Sequence, residues 1–157
     1  MRSFSLVRGR ECDIVLNWVD IDPRYFEKFV YRALQLEGFH NMEWHGRGGA
    51  DRGRDVVAFS TEVLPFGLSY EIKWIFQCKK WRKFPSHAEI LNEVSKAEQH
   101  SPDIWVLVIP VDATSSMIDY FKFLQNSKSY KVKLMPLIDV ESIINKHPKL
   151  EKVLLEG

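Results

Sequence analysis

Residues 46–80, GRGGADRGRDVVAFSTEVLPFGLSYEIKWIFQCKK, decide the fold of this chain. A glycine-rich loop comes first and ends in Asp55, at the start of an apolar run. The turn residues Pro65-Phe-Gly67 separate that run from a second one, which predicts a β-hairpin. The second strand carries Gln77 and Lys79 near its end. The stretch therefore predicts that a carboxylate, an amide and a lysine converge at one point of a sheet.

The alternation of side chains along the second strand separates its polar residues from its apolar ones. Residues two apart on a strand share a face, so Gln77 and Lys79 are expected to project together. The alternate residues of the strand project to the other side, toward a predicted core; they are Ile72, Trp74, Phe76 and Cys78. A carboxylate, a second oxygen ligand and a lysine are what metal-assisted attack on a phosphodiester requires. Asp55, Gln77 and Lys79 are thus the candidate catalytic set.

The clearest helix in the sequence precedes the glycine loop. Asp22 is a suitable N-cap, Pro23 suits the first helical position, and Gly38 ends the pattern. One apolar stripe has helical spacing and consists of Phe26, Phe29, Val30, Ala33 and Leu34. Glu27 lies beside this stripe. Two explanations stay open for it: a favourable interaction with the helix dipole, or a place at the rim of the site.

The remaining segments alternate between helices and strands. Ser86 and Glu89 form a capping box, and Asp139 is predicted to cap a short helix near the end of the chain. Residues 14–19 are compatible with a strand or with an extended arm. The helix after Ser86 has a predicted buried stripe of Ile90, Leu91, Val94 and Ala97. The other predicted strands cover residues 41–45, 55–61, 70–79, 104–109 and 132–137, and the other helices residues 116–125 and 150–155.

This order of elements predicts an α/β protein. Early antiparallel strands followed by βαβ crossovers give a central mixed sheet with helices on both faces. The predicted architecture is a three-layer α/β/α fold with the order α-β-β-β-α-β-α-β-α. A chain of 157 residues without repeats or linkers fits one domain with a substantial core.

Composition sets limits on the environment of the protein. The 22 basic and 21 acidic residues nearly balance, so net charge indicates no partner. Cys12 and Cys78 lack metal-binding spacing, and Cys78 is predicted to be a buried thiol. Neither a signal peptide nor an apolar run of membrane-spanning length is visible, so we expect a cytoplasmic protein without membrane contact.

Basic residues are concentrated around the candidate site. They are Arg47, Arg52, Arg54, Lys79, Lys80, Arg82 and Lys83. One interpretation is that all of them except Lys79 bind nucleic-acid phosphates without reading sequence. The other is that they are solvated surface charges, as most charge runs are.

The element order and three motifs resemble those of the Mrr-like restriction endonucleases, a branch of the PD-(D/E)XK nuclease superfamily. The motifs are Phe26-Glu27 in the first helix, Gly49-Ala-Asp51-Arg-Gly53-Arg-Asp55 before the second strand, and Gln77-Cys-Lys79 at the end of the third. The resemblance covers about residues 23–138. It implies a restriction-endonuclease-like fold, with residues 1–157 as one nuclease domain and residues 1–21 as an N-terminal extension.

The resemblance also implies Mg²⁺-dependent hydrolysis of DNA, with Mn²⁺ able to substitute. Asp55 would anchor the metal ion, and the Gln77 amide oxygen and the Cys78 backbone carbonyl would complete the protein ligands. Glu27 would act through a metal-bound water, and Lys79 would orient or deprotonate the attacking water. Glutamine in place of glutamate removes one negative charge, which should weaken metal affinity.

Other implications of the resemblance concern partners and alternatives. DNA is the implied partner, in bacterial restriction or anti-phage defence, with a homodimer if both strands are cut and with fusion to, or cooperation with, a sensor or recognition module. A catalytically inactive domain of the same fold that binds nucleic acid or protein is the alternative. Asp51 is compatible with support of the metal site or with pairing to a neighbouring arginine. A dinucleotide site is rejected because a strand, not a helix, follows the glycine loop.

Overall fold

The computed structural model describes residues 4–7, 14–45, 55–80 and 83–157. Two short strands form an N-terminal hairpin, which is followed by a succession of helices and longer strands. The strands are β1 (Phe4–Val7), β2 (Ile14–Asn17), β3 (His40–Trp44), β4 (Val56–Val63), β5 (Ser69–Cys78), β6 (Ile104–Val108) and β7 (Lys131–Met135). The helices are α1 (Pro23–Leu36), α2 (His87–Glu98), α3 (Ser115–Ser127), α4 (Leu137–Lys146) and α5 (Glu151–Glu156).

Five of these strands form one mixed sheet in the order β3-β4-β5-β6-β7. The first three are antiparallel neighbours, whereas β5, β6 and β7 run parallel. The antiparallel pair β4–β5 is joined by the turn at Pro65–Gly67, and the parallel pairs are joined by the crossover helices α2 and α3, as the sequence predicts. The strands β1 and β2 pair with each other in a separate two-stranded sheet.

Helices cover both faces of the sheet and enclose two cores. On one face, α1, α4 and α5 contribute Phe26, Phe29, Val140 and Leu154 among other buried residues. On the opposite face, α2 and α3 contribute Ile90, Val94, Phe121 and Leu124. The interior strand β6 is buried along its whole length, because it faces both cores. The predicted three-layer α/β/α fold is thus confirmed.

The local signals in the sequence correspond to observed contacts. The Asp22 carboxylate accepts a hydrogen bond from the backbone N–H of Arg24 at 2.8 Å and caps α1, with Pro23 at its first position. Gly38, just beyond the helix, has a φ of +91°, a conformation that favours glycine. Ser86 accepts from the backbone N–H of Glu89 at 3.2 Å and caps α2.

Three details differ from the predictions or resolve them. Leu91 is 44% exposed and so is not part of the buried stripe of α2, because it lies 100° around the helix from Ile90. Asp139 lies inside α4 rather than at its cap, which is Pro136, and burial raises the pKa of its carboxyl. Part of the segment 14–19 is a strand, since β2 ends at Asn17 and a 3₁₀ turn follows.

An ion-pair network joins α2 to the loop before β7. The Glu98 carboxylate accepts hydrogen bonds from Lys128 and from the Tyr130 hydroxyl. These bonds hold the pKa of Glu98 below its usual value. Burial and the same carboxylate raise the pKa of Tyr130. The network thus anchors the C-terminal end of α2 to the segment before β7.

Within the described ranges, no helix is both long and apolar enough to cross a membrane.

Candidate active site

The strand register places Asp55 beside Gln77. Val57 pairs with Ile75 and Val56 with Phe76 in the antiparallel pair β4–β5. One further step along both strands brings Asp55 opposite Gln77. The register is fixed by the cores, since Val56 and Phe76 face one helical layer while Val57 and Ile75 face the other. The hairpin thus joins two residues that lie 22 positions apart in sequence.

The Asp55 carboxylate is held by two hydrogen bonds. Its Oδ2 accepts from the backbone N–H of Cys78 at 2.6 Å and from the Gln77 side-chain Nε2 at 3.2 Å. Asp55 is 4% exposed and Gln77 fully buried; they are the buried polar residues of the described chain. Charge-assisted bonds of this kind fix the position of a carboxylate. A buried acid therefore sits at the end of β5 in one defined orientation.

The backbone beyond Gln77 is fixed by the neighbouring parallel strand. Cys78 pairs with Val108, the last residue of β6, and the backbone N–H of Lys79 donates to the Val108 carbonyl at 3.0 Å. The Cys78 side chain is buried, as predicted. Gln77 and Lys79 therefore leave the sheet at its carboxyl edge, held in place by β4 and β6.

Lys79 meets an acidic residue that the sequence did not single out. Its Nζ lies 3.6 Å from Glu93 Oε1, and both side chains are largely buried, with 21% and 13% exposed. Lys96 lies 3.8 Å from the same oxygen. The sequence contains one indication of this contact, because Glu93 lies beside the buried stripe of α2, between Ile90 and Val94. That flank faces the sheet only if α2 packs on the side of Gln77, which the sequence alone does not decide.

Glu27 lies in the other helical layer. Its neighbours Phe26 and Phe29 pack with Phe76 and Cys78, whereas Gln77 follows Ile75 on the α2 side of the sheet by strand alternation. The Glu27 side chain is half-buried. Glu27 and Gln77 thus lie on opposite faces of the sheet, so Glu27 would reach a metal ion at Asp55 only around the edge of the sheet. The role of Glu27 through a bound water stays a prediction.

The basic cluster is described only in part. Arg47, Arg52, Arg54 and Arg82, together with Asp51, lie outside the described residues. Lys83 is exposed. Lys80 has a structural contact, because its Nζ donates to the carbonyls of Val19 at 2.5 Å and Trp18 at 3.2 Å. Its predicted contact with phosphate stays a prediction, as do those of the other cations.

The donor set suits a hard divalent cation. An aspartate carboxylate, a glutamine amide and a backbone carbonyl all offer oxygen, which Mg²⁺ and Mn²⁺ prefer. Asp55 turns its carboxylate toward the Gln77 amide nitrogen, and rotation of that amide by about 180° exchanges its nitrogen and oxygen. No group of three or more His, Cys, Asp or Glu residues is arranged for a metal in the ranges that the structure describes. Asp55 would thus supply the charge of the site, with neutral oxygens beside it.

Comparison with known families identifies the chain. The sequence model of the Mrr_cat family, described as restriction endonuclease, matches residues 19–141. The chain belongs to this restriction endonuclease family. The resemblance noted from the three motifs is thereby confirmed, and family and fold together support a nuclease role. Restriction endonucleases of this kind generally use divalent metal ions.

Solved structures give the same fold at low sequence identity. The DNA modification-dependent restriction endonuclease AspBHI matches with a TM-score of 0.58 and 14% identity, over 87% of this chain and 36% of that one. The MspJI restriction endonuclease, in complex with a 27-mer oligonucleotide, matches with a TM-score of 0.55 and 16% identity, over 83% of this chain and 30% of that one. This restriction endonuclease chain thus spans about a third of their length. Among curated protein sequences, no match was found.

Proposed function

We propose that this restriction endonuclease domain is a Mg²⁺-dependent endonuclease that hydrolyses DNA phosphodiester bonds, in bacterial restriction or anti-phage defence. The observation that carries the proposal is the contact of the buried Asp55 carboxylate with Gln77 and with the Cys78 N–H. Burial of an ionised carboxylate lowers the stability of the fold. A buried aspartate is therefore better explained by a chemical role than by a structural one. The oligonucleotide in the MspJI structure supports DNA as the substrate.

Each residue of the site has a distinct proposed role. Asp55, with the Gln77 amide oxygen and the Cys78 carbonyl, would hold the cation. A bound divalent ion supplies an acidified water and offsets charge on the phosphate. Lys79 would orient the attacking water and take up negative charge that develops on the scissile phosphate. Glu27 would add a carboxylate through water from the α1 side.

Removal of the metal tests the proposal directly. The protein is expected to nick supercoiled plasmid DNA in Mg²⁺ or Mn²⁺ and to lose this activity in EDTA, with recovery when excess Mg²⁺ is added back. The measurement is the conversion of supercoiled to open-circle DNA on a gel. Equal nicking with and without EDTA would contradict a metal-dependent mechanism.

The alternative is an inactive domain of the same fold that binds nucleic acid or protein. Retained DNA binding without cleavage in either metal would favour it. The defined orientation of Asp55 and the pairing of Lys79 with Glu93 favour an active site over a decayed one. Dimerisation, and cooperation with a sensor or recognition module, remain parts of the proposal; the chain spans only 36% and 30% of the two solved structures.

Glu93 is proposed as a positioning residue for Lys79. Lys79→Met is expected to lower the nicking rate by about 10²-fold, because removal of one preorganised group that stabilises developing negative charge typically costs about 10²- to 10³-fold. Glu93→Gln is expected to lower it by about tenfold, the loss of about 1.4 kcal/mol. Single-turnover nicking and DNA binding are measured in parallel, and we expect the DNA Kd to change less than about twofold in both variants.

The matched control for Glu93 is Glu89→Gln, an exposed acid one turn earlier on the same helix. Its nicking rate should equal that of the parent. A rate in Glu93→Gln that equals the rate in Glu89→Gln would mean that Lys79 keeps its position without the ion pair.

A further inference from the structure

The outer face of α1 carries a row of cations. Arg24, Lys28 and Arg32 are four residues apart, so they lie one above another on one side of the helix. This side is opposite the buried stripe that contains Phe26 and Phe29. The Arg32 guanidinium donates to the Gln35 amide oxygen at 3.1 Å, which holds it along the helix surface. The row presents three positive charges over about 12 Å of helix.

Aromatic rings line the same groove. A cavity of about 630 Å³ is bounded by the three cations together with Tyr25, Tyr31 and Trp44. Tyr31 and Trp44 stack with their ring centroids 5.9 Å apart and their planes at 27°. Among the described residues, one acidic side chain, that of Glu156, lines the cavity. The lining thus combines an excess of positive charge with flat apolar surface.

The groove lies across the edge strand β3 from the candidate active site. Trp44 is the last residue of β3 and pairs with Val56, the neighbour of Asp55. The next residue, His45, donates its backbone N–H to the Asp55 carbonyl at 2.7 Å. Strand alternation puts the Trp44 ring on the α1 face of the sheet and the Asp55 carboxylate on the α2 face. A DNA strand bound at Asp55 would therefore reach α1 by crossing β3.

We propose that this α1 groove binds a single-stranded segment of the DNA substrate next to the cleavage site. Arg24, Lys28 and Arg32 would contact successive phosphates, and one base would stack on Tyr31 beside Trp44. Positive grooves with aromatic platforms are the usual means of binding unpaired strands, because every base has a face that stacks. Bases in an intact duplex stack on each other and do not offer that face. The inference rests on the proposed nuclease function.

Binding measurements in an inactivated protein test the groove without cleavage. In the Asp55→Asn background, fluorescence anisotropy with a labelled oligonucleotide of about 12 nucleotides gives the Kd over a range of salt concentrations. Lys28→Gln with Arg32→Gln should flatten the slope of log K against log salt by about 1.4, because each contacted phosphate of a single strand contributes about 0.7. Tyr31→Ala should weaken binding about 5- to 150-fold, and Tyr31→Phe should bind like the parent.

The control places the same charge change on the far edge of the sheet. Lys131 and Lys133 are exposed on the edge strand β7, and their replacement by glutamine should leave the slope unchanged. An equal slope in the groove variant and the parent, or an equal change in the β7 variant, overturns the proposal. So does a mononucleotide that binds as tightly as the oligonucleotide. Failure of the nuclease assignment would instead appear as a parent protein that does not nick plasmid in Mg²⁺, whatever the binding result.

Discussion

Asp55→Asn is expected to lower the rate of Mg²⁺-dependent plasmid nicking by about 10³-fold. The asparagine has the same shape, and its oxygen can still accept the Cys78 N–H that the carboxylate accepts at 2.6 Å. The substitution removes the carboxylate charge that would hold the metal ion. Charge stabilisation by a bound metal supplies several kcal/mol, and about 1.36 kcal/mol corresponds to each tenfold change in rate.

Two further measurements isolate the effect of the charge. Thermal unfolding of Asp55→Asn should resemble that of the parent, because the substitution conserves volume and the backbone hydrogen bond. Asp119→Asn, which changes an exposed aspartate of α3, should nick at the parent rate. Parent-like nicking by Asp55→Asn in the same assay would remove the central acid from the mechanism and favour the binding-domain alternative.

Phe26→Ala is expected to lower the free energy of unfolding by about 3–5 kcal/mol, the usual cost when a buried phenylalanine is truncated. Phe26 is completely buried. Its ring centroid lies 6.2 Å from that of Trp18 in an edge-on contact and 6.1 Å from that of Phe29 in a stacked one. The measurement is urea denaturation followed by far-UV circular dichroism, with the change read from the midpoint at constant slope.

Leu36→Ala is the matched control on the same helix. Leu36 is 57% exposed, and alanine suits a helix at least as well as leucine, so the free energy of unfolding should change by less than about 0.5 kcal/mol. A loss below about 1 kcal/mol in Phe26→Ala would mean that α1 is not fixed to the sheet through this aromatic cluster.

Much of the fold was predictable because its signals are local. Asp22 starts α1 by accepting a hydrogen bond from a backbone N–H of the first turn, Pro23 suits the first position because it has no N–H to satisfy, and Gly38 ends the helix with a positive φ. The turn at Pro65–Gly67 joins two apolar runs, so the hairpin follows from the sequence. The sequence also predicted that Asp55 and Gln77 lie together, but it did not predict the hydrogen bond from the Cys78 backbone N–H.

Other features depend on which helix covers which face. Leu91 has an apolar side chain, as core residues do, but it lies on the exposed flank of α2. Glu93 and Lys79 are 14 residues apart in sequence, and no periodicity indicates that they meet. The contact of Lys80 with the carbonyls of Trp18 and Val19 spans more than 60 residues. Such contacts are set by packing distances between layers, which local propensities do not contain.

The sequence by itself determined the order of the elements from α1 onward, the β4–β5 hairpin, and the proximity of Asp55 to Gln77, because capping, turn chemistry and side-chain alternation act over a few residues. Only the tertiary structure decided that Glu93 meets Lys79, that Glu27 lies in the opposite layer, and that the cations of α1 share a groove with Trp44. These relations arise because helices bury their apolar faces on both sides of the sheet. That burial fixes the direction in which each helix crosses the sheet.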